Sequence, residues 1–459
     1  MTGTSLASSF SGDVLFQSIK DQFKSFPDNR EPSRVDIPIE DFLMSGLALF
    51  LLKFPSLLQF ENEVRNNQTF SNMKSLFGIS RVPSDTHLLT MVDEFLPELF
   101  RPLFNSLFLK AQRAKVLESF SIFSNTYCLS VDGTGYYYSD NIKCACCLEK
   151  KSKSKDEKSF YHHMLCGAIV HPDQKEVIPL CPEPISMQDG SNKNDCEQNA
   201  MKRFLTKFRE DHPKLKTILL ADALHSNIPT LDLLKKLDIN FVLSVKPGSH
   251  EKLFAGLDRR ESTGEVNHFE EEFDIGDKIK KKKTCQYRFT NGILLNNQST
   301  TQSVNFLEYW ETIQWVDKNG EIQEDRKHFS WITDYSLYSS SCKQIVRAGR
   351  TRWKIENETF NALKNQGYEF EHNFGHGYKN LSTNFAMLMM LAFFIDQLQE
   401  LKCPTFRKAL HKSFNKKSRL WVKMRAAYEL VPIQFESWIQ FLDFFADKSK
   451  WTVIVTESG

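Results

Sequence analysis

The spacing of apolar residues changes twice along this chain, which rules out a uniformly helical or uniformly β fold. Up to about Phe123 they recur at helical intervals, as in Phe42, Leu43, Leu47, Phe50 and Leu51, and again in Leu88, Leu89, Val92, Phe95 and Leu96. From about residue 126, short apolar runs take over: YCLSVDGTGYYYS, HHMLCGAIVHP and EVIPLCPEPI. An amphipathic helix near Asp195 to Glu210, the strand TILLADA, a helix near Pro229 to Leu237 and FVLSVKP follow. The order βββαβαβ predicts an α/β fold, a mixed sheet covered by helices. Residues 248–334 are strand-rich again, with Asn291-Gly292 and Asn319-Gly320 as hairpin turns and Lys280 to Lys283 as an exposed turn. They predict a separate antiparallel layer inserted into the α/β unit. Helical spacing returns from about Ser340 through Asn365 and from Leu381 to Leu401.

Five stretches result: a helical region at 1–125, the first part of a mixed-sheet core at 126–247, a β insertion at 248–334, the rest of the core at 335–400, and a basic, aromatic helical region at 401–459. A length of 459 residues supports several such units around a sizeable core. The balance of 59 Lys+Arg against 57 Asp+Glu excludes a protein that is basic overall, but not a local basic surface. Ten cysteines are too few for a disulfide scaffold. The first residues lack a basic-then-apolar leader, and the longest apolar run, Phe385 to Ile395, is far shorter than a membrane span. The expectation is a reducing, cytoplasmic location with no membrane partner.

Acids stand where acids are costly. Asp132 ends the apolar run of LSVDGTG, where Gly133 and Gly135 allow close approach, and Asp222 ends the apolar strand ILLAD. Each alone suits a turn or cap. Two at strand ends of one sheet, with no adjacent cation, favour a hard-metal site. In RTRWKIENETFNALKNQGY, Arg352 and Glu356 lie one helical turn apart on one face, with Lys364 two turns beyond. By itself that pair is an exposed helix contact worth a few tenths of a kcal/mol, about 0.2–0.5.

With LSVDGTG, NKNDCE, LLADALHSN, SWITD and RWKIENETFNALKNQGY in this order, the stretch from about 126 to 395 resembles the DDE transposases of bacterial insertion sequences. It is similar to the subgroup whose RNase H-like core is interrupted by an all-β insertion before the glutamate. The subgroup's pattern is a tyrosine, two residues, arginine, three residues, glutamate, six residues, lysine. Counted from Glu356, Arg352 fits, Gly349 stands in the tyrosine slot and Lys364 falls one place late. Counted from Glu358, the arginine slot holds Lys354, a poorer match.

The resemblance implies Asp132, Asp222 and Glu356 as catalytic residues and metal ligands, holding two Mg²⁺ (or Mn²⁺) ions. Asp132 would bridge the two ions, with Asp222 on one and Glu356 on the other. Such ions, roughly 3.5–4 Å apart, suit phosphodiester cleavage because they activate the attacking oxygen and stabilise the leaving one. It also implies phosphate contacts from Arg352 and Lys364, double-stranded DNA (terminal inverted repeats and target) as partner, a homodimer on DNA, and a bacterial, nucleoid-associated location. Cleavage at the element's ends would be followed by joining to target DNA. The alternatives are a catalytically inactive DNA-binding derivative and an RNase H-like nuclease without strand transfer.

Three further features carry weaker expectations. Cys144 and Cys147 precede His162, His163 and Cys166, and Cys144-x2-Cys147 with His162 or Cys166 has roughly structural-zinc spacing. Strand continuity would put His162 and His163 on opposite faces, so free thiols beside a strand turn are the plainer expectation. Lys402 to Arg425 holds nine Lys/Arg and no acid, with Phe414 and Trp421 interleaved. Beside a DNA-cleaving core, Arg407, Lys408, Lys416, Lys417 and Arg419 are expected to contact phosphates without reading sequence. The stretch FSNMKSLFGISRVPSDTHLLTMVDEF is either a helix-turn-helix for DNA or an antiparallel helix pair capped by Ser84 or Asp85, and its scarcity of basic residues favours the pair.

Overall fold

The computed structural model describes residues 9–123, 125–151, 158–187, 195–276, 280–296, 303–431, 433–447 and 449. Among these, one sheet runs through the molecule. Its main strands are β1 (Thr126–Ser139), β2 (Leu148–Lys151), β3 (Lys158–Val170), β4 (Thr217–Ala221), β5 (Asn240–Ser244), β6 (Asn267–Ile275), β7 (Lys281–Leu294), β8 (Ser303–Val316) and β9 (Ile322–Thr333). The spatial order is β2-β3-β1-β4-β5-β9-β8-β7-β6. β3 and β1 are antiparallel, whereas β1, β4 and β5 run parallel. Short segments Ile178–Pro179 and Glu183–Ile185 pair with the other edge of β3. This is the α/β, RNase H-like mixed sheet that the element order predicts. All five residues of β4 are buried, as expected of a parallel strand covered on both faces.

The insertion is not a separate layer. β9 pairs antiparallel with β5 through Trp331, Ile332 and Thr333, so the antiparallel strands β6 to β9 extend the core sheet. Thr333 Oγ1 adds a 2.7 Å hydrogen bond to the Phe241 carbonyl at that seam. Two turn expectations also change. Asn291-Gly292 lies inside β7, at a register shift between Thr290 and Ile293, with Gly292 at φ 70°. A left-handed glycine serves a β-bulge as well as a hairpin turn, so sequence alone does not separate them. Asn319-Gly320 does turn the chain between β8 and β9. Lys281 to Lys283 belong to β7 itself, paired to both neighbours.

Helices flank this sheet. Helix Leu381–Lys402 is apolar all round and almost wholly buried, as befits a core helix packed on every side. It is long and apolar enough to cross a membrane by composition alone, but here its partners are protein, among them the helix Ile39–Leu51. Its N-terminus is held by buried Asp93, whose carboxylate accepts the backbone N–H groups of Tyr378, Lys379, Asn380 and Leu381. An anion at that end suits the helix dipole. Asp93 sits on the helix Asp85–Asp93, which Ser84 caps by accepting from the His87 amide at 3.4 Å. Both expected helices, Asn67–Phe77 and Asp85–Asp93, are present, but they pack mainly on other elements, the second on Ile39–Leu51 and Leu381–Lys402, where Leu88, Val92 and Asp93 are buried.

The insertion also holds the late helix in place. Arg350, at the end of helix Ser339–Arg350, pairs with Glu311 of β8 at 2.7 Å, and Lys283 of β7 pairs with the same carboxylate. Against the cost of burial, these two cations hold Glu311 down to about 2. Gly349 lies so close to the Trp331 indole of β9 that a Cβ there would approach it to 2.6 Å. A tyrosine could not occupy this slot without moving the helix or the strand. The departure at Gly349 is therefore built into the packing.

Candidate active site

β1 carries Asp132, half-buried, at the end of its apolar run. Its carboxylate accepts the Gly133 amide at 2.9 Å and pairs with Arg352 at 3.2 Å. The same guanidinium pairs with Glu356 at 2.8 Å, so one cation spans two carboxylates. Ser130 Oγ donates to the Arg352 carbonyl at 2.8 Å and fastens the strand to this turn of helix. β1 and β4 pair in parallel, Ser130 opposite Leu220. The pairing ends there, two residues before Asp132 and Asp222. Asp222 leaves its strand there and caps the 3₁₀ turn Ala223–His225, accepting the Leu224 amide at 3.0 Å.

The helix bearing Glu356 is not a regular α-helix. Residues Thr351–Trp353 form a 3₁₀ turn, Ile355–Phe360 a π-helix, and Asn361–Asn365 an α-helical turn. A π-turn takes up one residue more than an α-turn, and such turns are frequent at functional sites. Here it absorbs the place by which Lys364 falls late. Lys364 lines an open cleft with Gly135, Tyr137, Tyr138 and Tyr161, and pairs with Glu371 at 2.7 Å. Its charge helps lower the His163 pKa, where burial is the larger cause.

A fourth carboxylate lies nearby, over Gly133 on the other face of β1 from Asp132. Glu197, the first residue of helix Glu197–Asp211, accepts from His225 Nε2 at 3.0 Å, and its carboxylate would collide with any Cβ on Gly133. His163 approaches from β3 on the same side, 2.8 Å from that Cβ position. Gly133 is thus the opening through which two side chains from other elements reach the strand. Nothing in the sequence analysis assigned Glu197 a role. The available signal was an acid in the first turn of the helix that follows the third strand.

The electrostatics follow from this crowding. Burial pushes the Asp132 carboxyl up to about 6; Arg352 and the Gly133 amide oppose the shift, and Glu356 and Glu197 add to it. Asp132 and Glu356 share one guanidinium, and Glu197 adds further negative charge near Asp132.

The sequence profile of the transposase DDE domain matches residues 124–394, more than half of the chain. The chain belongs to this family. No curated protein is significantly similar to it. As a DDE transposase it acts on DNA, and the matched span includes all of the carboxylates just described. Divalent cations are typical of such enzymes. The donor set fits them: hard carboxylate oxygens whose charge Arg352 alone does not balance.

The basic region of this transposase is mixed in character. Arg407 and Lys408 on helix Pro404–His411, together with Lys416 and Arg419, are exposed, and Arg419 lies over the exposed ring of Phe414 at 5.0 Å. Lys417 is instead largely enclosed and paired with Glu400 at 2.6 Å. Trp421, expected to interleave with the charges, is buried.

Proposed function

We propose that this transposase cleaves the ends of a mobile DNA element and joins them to target DNA, with Asp132, Asp222 and Glu356 as its catalytic residues. The observation that best supports this reading is Arg352, which pairs with Asp132 on β1 and with Glu356 on the late helix, while Asp222 follows the strand that runs parallel to β1. Those three carboxylates would hold Mg²⁺ or Mn²⁺. When bound, such ions activate the attacking oxygen and stabilise charge on the leaving oxygen.

The chain's own residues do the rest. Arg352, now shared between two carboxylates, can turn one N–H edge to a phosphate oxygen once its partners are otherwise engaged. Lys364 lines the open cleft with Tyr137, Tyr138 and Tyr161, where a second phosphate would run. Glu197 and His225 close the flank beside Gly133 and hold the Ala223–His225 turn, and so Asp222, in place. Arg407, Lys408, Lys416 and Arg419 give sequence-independent attraction for the duplex.

The test uses the full chain, linear DNA bearing the element's terminal repeats, a target plasmid and Mg²⁺. Nicked ends and joined products are expected. Asp132→Asn, Asp222→Asn and Glu356→Gln should each lower cleavage by about 10³-fold or more, the equivalent of several kcal/mol. Undiminished cleavage in all three would sink the assignment. Cleavage without joined product would make the protein a nuclease only.

A further inference from the structure

A second cluster lies further along β3, on the face opposite His163, and the active site does not use it. Cys144 and Cys147 come from the loop after β1, His162 from β3, and His376 from residues 366–380, which form neither helix nor strand. Cys147, His162 and His376 are buried and Cys144 is half-buried. His162 and His163 point to opposite faces of β3, as strand alternation requires. One meets the cysteines and the other meets Glu197 and Gly133.

The distances have the pattern of a metal tetrahedron. Cys144 Sγ and Cys147 Sγ are 3.8 Å apart. His162 Nε2 is 3.4 Å from Cys144 Sγ and 3.3 Å from Cys147 Sγ, and His376 Nε2 is 3.4 Å from Cys147 Sγ. All four atoms lie within 4.8 Å of one another. With Zn–S near 2.3 Å and Zn–N near 2.05 Å, a regular tetrahedron has S···S edges of about 3.8 Å and S···N edges of about 3.6 Å. A disulfide would need the sulfurs about 2.05 Å apart.

The surroundings suit a bound cation. The Cys144 amide donates to Cys147 Sγ at 3.3 Å, an interaction that stabilises a thiolate. Tyr137 stacks on His376 at 4.1 Å and Tyr136 on His162 at 5.6 Å, so packing fixes both rings. His376 Nδ1 has no hydrogen-bond partner, and among the described residues that ring's polar contact is the one Nε2 makes with the cluster. A surface cleft lined by Lys143, Cys144, Cys147, Phe160 and Tyr378 gives a metal access to the sulfurs. Cys146 Sγ contacts Asn380 Oδ1 at 3.8 Å and stands outside the four, and Cys166 lies opposite Asp132 in the sheet. Of the residues that the spacing offered, Cys166 is therefore replaced by His376, which lies over two hundred residues further along the chain.

We propose that Cys144, Cys147, His162 and His376 bind one structural zinc ion. A tetrahedral S₂N₂ set with no open position matches closed zinc sites. The ion would fasten residues 366–380, which connect the Glu356 helix to helix Leu381–Lys402, onto β3 directly behind His163. It would act as a cross-link within the core and take no part in cleavage.

Elemental analysis of the full chain, purified from zinc-supplemented cells and dialysed without chelator, should find one zinc per chain. Cys147→Ser and His376→Asn should lose it, and Cys146→Ser should keep it. Because the first two variants can unfold, the wild-type protein carries an independent readout. Exchange with Co²⁺ should produce the intense visible bands of a tetrahedral site and a thiolate-to-cobalt charge-transfer band, which an all-carboxylate site cannot give. Wild-type protein without zinc, a cobalt form without the charge-transfer band, or His376→Asn retaining a full equivalent would each overturn the proposal.

Discussion

The Asp132–Arg352–Glu356 group and the Lys53–Asp396 pair are built from the same ingredients, carboxylates and a cation drawn out of water, yet they balance charge differently. In the helical body, Lys53 Nζ meets Asp396 at 2.8 Å with both side chains 1% exposed. Tyr368 donates to the same carboxylate at 2.6 Å, and the ammonium lies 4.3 Å from the Tyr368 and Trp421 rings. That arrangement is neutral and sealed. At the candidate site, one guanidinium pairs with both Asp132 and Glu356, Glu197 adds negative charge near Asp132, and the Glu356 side chain is 39% exposed. Excess charge of that kind raises the energy of the folded chain, whereas in the sealed pair each charge offsets the other's burial. The difference separates a site kept for chemistry from one kept for packing.

The largest effect on stability should come from breaking the sealed pair. Lys53→Met leaves Asp396 buried with Tyr368 and no cation, and should destabilise the protein by about 3–5 kcal/mol in urea unfolding. Adding Asp396→Leu should restore most of the loss. If Lys53→Met alone were neutral, the contrast between the regions would fail.

Next in size is Gly349→Ala. A methyl group 2.6 Å from the Trp331 indole must push the late helix off β9, at a cost of about 1–3 kcal/mol. Cleavage should fall in the same variant, because Arg352 and Glu356 ride on the displaced turn. A change in melting temperature with full activity would show that the helix can shift without disturbing the carboxylates.

The smallest effect concerns pH. The Asp132 carboxyl is raised from 3.8 to about 6, chiefly by burial. The folded state therefore holds this proton more tightly than the unfolded chain does. Its stabilising effect is complete below about 3.8 and is lost as pH rises through about 6. In metal-free protein, Asp132→Asn should gain stability relative to wild type across that window, read as a difference in melting temperature between pH 4 and pH 7. A constant difference across the window would mean that the folded chain does not raise the Asp132 carboxyl.

Much of this was legible locally. The βββαβαβ order, the acids ending β1's apolar run and β4, the Ser84 cap, the shared face of Arg352 and Glu356 and the opposite faces of His162 and His163 follow from periods of two and 3.6 residues. What escaped involved residues distant in sequence or a change of local period. The insertion joins the core sheet through three pairs at β5, which nothing in the β9 residues alone announces. The π-turn at Glu356 shows in sequence only as a lysine one place late. Lys417 reads as one more exposed base until Glu400 is seen beside it.

The chain's own residue order determined which segments are strand or helix and which of them carry acids, because backbone sterics and apolar spacing act over a few residues. Only the tertiary structure decided that Glu197 reaches Gly133 and that His376 completes the cysteine cluster. Those side chains meet where one element passes another, and that crossing is set by the packing of the whole core.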